Sequence, residues 1–83
     1  MQCKPATMRV TVTGSFNGEA AITMSRALAE FGKTELTLFS SEGKTMPSAA
    51  LYTVQTMRGV ADIERVLSQS TGVHNVHVEA EHA

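Results

Sequence analysis

The sequence predicts an α+β domain of order βαββαβ, in which two helices pack on one face of a four-stranded antiparallel sheet. The stretch 63–79 has the pattern of an amphipathic helix, a stop at Gly72 and a strand. The segments upstream supply a strand, a helix and two more strands in the order that completes this topology. The 83 residues suit one domain with a small core, predicted over about 8–80, with residues 1–7 and 81–83 as flexible tails. The predicted architecture is the ferredoxin-like open-faced sandwich.

The first strand and the first helix follow from two changes of hydrophobic period. Residues 8–13 alternate apolar and polar side chains, which predicts a strand that turns Met8, Val10 and Val12 toward a core. Asn17-Gly18 predicts a turn, because both residues tolerate a positive φ. Four apolar residues then recur at helical spacing, which predicts a helix: Ala21, Met24, Leu28 and Phe31. Gly32 stands where a left-handed cap would end this helix.

The second half of the chain contains one ambiguous segment. Residues 35–39 alternate again, and Ser40 to Lys44 supply the connection expected before a return strand. Residues 48–57 favour that strand through their β-branched and aromatic content, yet their apolar positions also match one face of a helix. A helical stripe and a final strand close the chain, with predicted inward residues Val60, Ile63, Val66, Leu67, Val76, Val78 and Ala80.

One strand of such a sheet is a candidate interface. Leu36, Leu38 and Phe39 would lie on an edge strand, whose unpaired backbone groups a second copy could satisfy. A homodimer or a protein partner is therefore predicted, and a monomer with a short, hydrated edge is the competing interpretation. The helix-free face would carry Thr11, Thr37, His77 and Glu79, with Phe39 as its apolar exception. Ile22 and Ala29 could form a small apolar patch, although packing of Ile22 beneath the loop at Ser15 and Phe16 is favoured.

Composition argues against several classes of function. The net charge of -1 without a run of Lys or Arg does not suit nucleic-acid binding. No apolar stretch reaches the roughly 20 residues that span a membrane, and the start lacks the apolar region of a secretory signal. A soluble, cytoplasmic protein is predicted, and the single cysteine, Cys3, fits a reducing compartment.

The residues that could carry chemistry do not form a recognisable catalytic set. His74 and His77 are three residues apart and on a strand would point to opposite faces, so a shared metal ion is not predicted. His77 and Glu79 would share a face as solvated surface residues. Ser40, Ser41 and Ser48 lack the partners of a nucleophile and are assigned to turns. We therefore expect neither an enzyme nor a bound cofactor.

The segment 22–32, the loop before it and residues 71–78 together resemble an ACT domain, a small regulatory fold that often binds amino acids. The resemblance covers about residues 8–80, although Phe16 and Asn17 replace the acidic residue and Pro that usually precede the loop Gly. It implies ligand contacts in the loop between Gly14 and Glu19, at a subunit interface, and pairing through the edge strand 36–39. The ligand residues implied are Ser15, Phe16, Asn17, Gly18 and Glu19.

A shorter stretch, about residues 10–57, resembles the HPr phosphocarrier of the sugar phosphotransferase system. The matching pieces are residues 10–13, Asn17-Gly18, 35–38, Gly43-Lys44 and 51–57. The phosphorylated His expected just after Asn17-Gly18 is absent, and Ala50 stands in place of the family's regulatory Ser. As an alternative function, the protein would be an HPr-like relative that acts by protein contact and accepts no phosphate.

Overall fold

The computed structural model describes residues 6–40 and 47–80, which form four strands and two helices in the order βαββαβ. The strands are antiparallel to their neighbours and lie in the order β2-β3-β1-β4. This is the predicted ferredoxin-like α+β fold. Cys3, His82 and the predicted connection 41–44 lie outside the described residues. The elements are β1 (Ala6–Gly14), α1 (Gly18–Ala29), β2 (Gly32–Ser40), β3 (Ser48–Thr56), α2 (Val60–Ser68) and β4 (Val73–Ala80).

The ambiguous segment is a strand, and it lies in the interior of the sheet. Tyr52 pairs with Val10 of β1 on one side and with Leu36 of β2 on the other. Alternate residues of β1 and β3 face the two helices, as their period of two requires. The predicted inward direction of Ala80 is not accompanied by burial, since this residue near the chain end is exposed. The buried apolar core contains Met8, Val10, Val12, Phe16, Ala21, Met24, Leu28, Ala50, Tyr52, Val54, Ile63 and Leu67.

Helix α1 begins and ends by other means than the sequence suggested. Asn17 has extended backbone, with φ of -97°, and its side-chain oxygen accepts a hydrogen bond from the Ala20 amide at 2.9 Å, so it is an N-cap. The helix ends at Ala29 with Glu30 in a right-handed conformation, so Gly32 is not a left-handed cap. Gly32 instead begins β2, where a Cβ atom would overlap the backbone carbonyl of Gln55. The glycine at this position permits close approach of two strands.

A bulge in β2 changes the face on which Phe39 lies. The pairing with β3 passes from Leu36 opposite Tyr52 to Leu38 opposite Leu51, which leaves Thr37 as the extra residue. The Thr37 hydroxyl donates to the Leu51 carbonyl at 3.0 Å. The register shift turns Phe39 toward the helices, against Phe16 at 6.1 Å between ring centroids. The prediction that Phe39 lies on the helix-free face is therefore wrong, and Leu38 is exposed instead.

Three hydroxyl groups of β3 hold α1 and its flanking loops on the sheet. Ser48, Tyr52 and Thr56 are four residues apart, so they share the helix-facing side. The Ser48 hydroxyl donates to the Phe16 carbonyl at 2.6 Å, the Tyr52 hydroxyl to the Ala21 carbonyl at 2.7 Å, and the Thr56 hydroxyl to the Phe31 carbonyl at 2.9 Å. Burial raises the pKa of Tyr52 from 10.0 to about 12.

Candidate functional site

Two loops meet at one end of the sheet and are held together by their backbones. The Ser15 amide, just after β1, donates to the Gly72 carbonyl, just before β4, at 2.7 Å. Gly72 has a φ of 86°, and a Cβ atom there would overlap the Ser15 carbonyl. A Cβ atom on Gly14 would in turn overlap the Gly72 carbonyl. This contact sets the start of α1 beside the end of α2.

An open groove of about 460 Å³ lies where these two helix ends meet. One side comes from the start of α1, and the other from the segment that follows α2. Glu19 is the only charged side chain among the described residues that line it. The lining residues are Asn17, Glu19, Ala20, Thr23, Met24, Gln69, Ser70 and Thr71.

The groove lies between helix ends of opposite partial charge. Backbone amides give the start of α1 a partial positive charge, and backbone carbonyls give the end of α2 a partial negative charge. Asn17 already uses its side-chain oxygen to cap α1, and the Thr23 hydroxyl donates to the Glu19 carbonyl at 3.0 Å. The Glu19 carboxylate is exposed at the groove and adds a full negative charge there. Such an arrangement can accept a small molecule that carries both charges.

The predicted ligand residues are divided between the groove and the core. Asn17 and Glu19 line the groove, and Gly18 begins α1 between them. Phe16 is buried against Phe39, and Ser15 takes part in the backbone contact with Gly72. The sequence interpretation omitted Gln69, Ser70 and Thr71, because no local pattern shows that the end of α2 approaches the start of α1.

The predicted interface residues lie on an edge strand, because β2 is the first strand of the sheet. Leu36 and Phe39 are half-buried against the core, whereas Leu38 is 61% exposed. Ile22 is 49% exposed, so it does not pack beneath the loop that precedes α1.

The histidines of β4 lie on opposite faces of the sheet, as predicted. His74 lines a smaller hollow with Glu64 and Ser68 of α2, on the helix side. His77 pairs opposite Thr11 on the helix-free face, with its Nε2 at 3.7 Å from the Glu79 carboxylate. Both members of that pair are more than half exposed, so the contact contributes little to stability.

Within residues 6–40 and 47–80, no three His, Cys, Asp or Glu side chains are grouped so that they could hold a metal ion. In the same described part of the chain, neither helix is long and apolar enough to cross a membrane. Comparisons of the chain with protein-family models, with curated proteins and with solved structures found no match.

Proposed function

We propose that this protein is a small regulatory module, similar to ACT domains, which binds a zwitterionic metabolite such as an amino acid in the groove between α1 and α2. The observation that supports this proposal is the groove itself, which is lined on one side by Asn17 and Glu19. Its volume of about 460 Å³ falls in the range of roughly 300–1,000 Å³ that is typical of small-molecule sites.

The charges around the groove favour a ligand with a carboxylate and an ammonium group. A carboxylate is stabilised at the start of α1 by the backbone amides and the positive end of the helix dipole. An ammonium group is stabilised by the Glu19 carboxylate and by the carbonyls at the end of α2. An amino acid carries both groups close together, whereas a phosphorylated metabolite without a cationic group has no group that attracts Glu19 and would be repelled by it.

The experiment that tests this proposal is a titration of the ¹⁵N-labelled protein with each of the common amino acids, followed by amide chemical shifts. We expect at least one amino acid to shift the amides of Glu19, Ala20, Ser70 and Thr71 in a saturable way. Glu19→Gln removes the one charged side chain among the described residues that line the groove, and it should weaken that binding by roughly fivefold. Glu30→Gln is the matched control, because Glu30 is also exposed but lies at the far end of α1.

Two results would contradict the proposal. The first is that no amino acid shifts the groove amides at about 10 mM, a concentration that detects even millimolar affinity. The second is a saturable shift that Glu19→Gln and Glu30→Gln weaken equally, which would place the ligand elsewhere.

A further inference from the structure

The outer edge of β2 has a straight segment that is symmetric about Thr34. Its pairing with β3 is regular from Gly32 to Leu36 and is then interrupted by the bulge at Thr37. Thr34 is therefore the central residue of five, and its two neighbours, Lys33 and Glu35, are exposed. Since these neighbours are two residues apart, they lie on the same face of the sheet.

This arrangement is complementary to itself in one antiparallel register. If a second copy pairs along β2 with its two-fold axis at Thr34, each Lys33 lies opposite Glu35 of the second copy, which gives two cross-strand ion pairs. An axis at Lys33 would place two lysines opposite each other, and an axis at Glu35 would do the same with two glutamates. A shift of the pairing by one residue would turn the second copy over, so that the helices of the two copies would lie on opposite faces of the joined sheet.

The exposed large apolar side chains of the sheet lie on its β2 side, with Leu38 on the edge strand and Met57 just after the interior strand β3. Among the described residues the large hydrophobic side chains that are exposed are Ile22, Leu38 and Met57, at 49%, 61% and 70%. Leu38 lies in β2, and Met57 directly follows Thr56, which pairs with Gly32 at the start of β2. With the axis at Thr34, Leu38 of one copy lies near the start of β2 of the other copy. Met57 of that other copy lies near the same end of its β2.

Ile22 lies on the same side of the molecule. Ala20 and Thr23 of α1 face the groove toward α2, and helical spacing puts Ile22 and Ala29 on the opposite flank, above the β2 edge. Two helices related by an axis at Thr34 would bring these flanks toward each other. The β4 edge has no exposed large hydrophobic side chain in its described strand.

We propose that the protein forms a homodimer in which the β2 strands pair antiparallel about a two-fold axis at Thr34, with Lys33 and Glu35 in two reciprocal ion pairs. The two sheets then form one continuous eight-stranded sheet, and the backbone groups of β2 are hydrogen-bonded to a neighbouring strand on both sides. This assembly is independent of metabolite binding, because the groove opens on the other flank of α1.

Charge reversal tests the register. Lys33→Glu alone, or Glu35→Lys alone, turns both ion pairs into like-charge pairs, so each should weaken the dimer by about tenfold or more. Combining Lys33→Glu with Glu35→Lys restores opposite charges and should restore the dimer. Mixing the two single variants should also give a dimer, since one then carries two acidic and the other two basic residues at this edge. Sedimentation over a range of concentrations measures all four cases.

Two controls keep the result interpretable. Glu64→Lys reverses an exposed charge on α2 and should leave the dimer unchanged. Circular dichroism should show that each single variant remains folded, because both positions are exposed. A wild-type monomer at about 100 µM, well above the micromolar range of specific association, would overturn the proposal. A dimer whose dissociation constant is unchanged by the charge reversals would also overturn the proposal. So would single variants that fail to associate with each other when mixed.

Discussion

The Ser48 hydroxyl offers the sharpest test of how the loop before α1 is held. It is fully buried, donates to the Phe16 carbonyl at 2.6 Å and accepts from the Phe16 amide at 3.4 Å. Ser48→Ala removes one oxygen atom and leaves two buried backbone groups of the same residue without these partners. The substitution creates almost no cavity, so the lost hydrogen bonds dominate its effect.

The size of the effect follows from the geometry of the two bonds. A buried backbone group that loses its partner costs about 1–3 kcal/mol, and the short bond to the carbonyl accounts for most of the loss. We expect a loss of about 2–3 kcal/mol in the free energy of unfolding, which lowers the melting temperature by roughly 10–20 °C in a domain of this size. For a domain whose total stability is of the order of 4–12 kcal/mol, this is a large fraction.

Urea unfolding followed by circular dichroism measures this loss, and Ser68→Ala is the matched control. Ser68 ends α2 and is exposed, so its replacement should change the free energy of unfolding by less than about 0.5 kcal/mol. Hydrogen exchange of the Phe16 amide should become faster in Ser48→Ala than in the control. If Ser48→Ala lowers stability by no more than Ser68→Ala, the buried hydroxyl does not hold the loop and the reasoning is wrong.

Three further predictions concern single groups. Burial raises the pKa of Tyr52 in the folded protein from its ordinary value of 10.0 to about 12. The contribution of this residue to the free energy of unfolding is therefore complete below pH 10 and is lost as the pH rises through 12. Between these pH values the free energy of unfolding should decline by up to about 1.4 kcal/mol per pH unit, and Tyr52→Phe should abolish this decline. An equal decline in the wild-type protein and in the variant would refute this prediction. Gly72→Ala should cost at least about 2 kcal/mol, because it combines a positive φ with overlap of the Ser15 carbonyl; a cost below about 0.5 kcal/mol in urea unfolding would contradict this. Thr37→Val should cost about 0.5–1 kcal/mol by removing the hydrogen bond to the Leu51 carbonyl, and an unchanged urea midpoint would argue against its role in the bulge.

The order of elements could be predicted because it depends on neighbouring residues. The alternation of residues 8–13 and the helical spacing of Ala21, Met24 and Leu28 each encode a local period, and the structure confirms both. The segment 48–57 was ambiguous because its apolar residues fit two periods. It is a strand because it lies between β1 and β2, where its backbone is paired on both sides.

The face of the sheet on which Phe39 lies could not be predicted from the neighbouring residues in the sequence. Residues 35–39 keep a strand pattern whether or not Thr37 is an extra residue, and one extra residue reverses every side chain that follows. The bulge is visible only against the register of β3. For the same reason, the straight segment centred on Thr34 emerged only from the strand pairing.

The candidate groove was predictable on one side only. Asn17 and Glu19 were expected to contact a ligand because of the resemblance to ACT domains, and both line the groove. Ser70 and Thr71 reach the same groove because Gly14 and Gly72 allow two backbones to approach, although 57 residues lie between these two glycines in the sequence. A local pattern encodes the period of one segment, whereas contact between distant segments depends on how the assembled sheet and its loops place them.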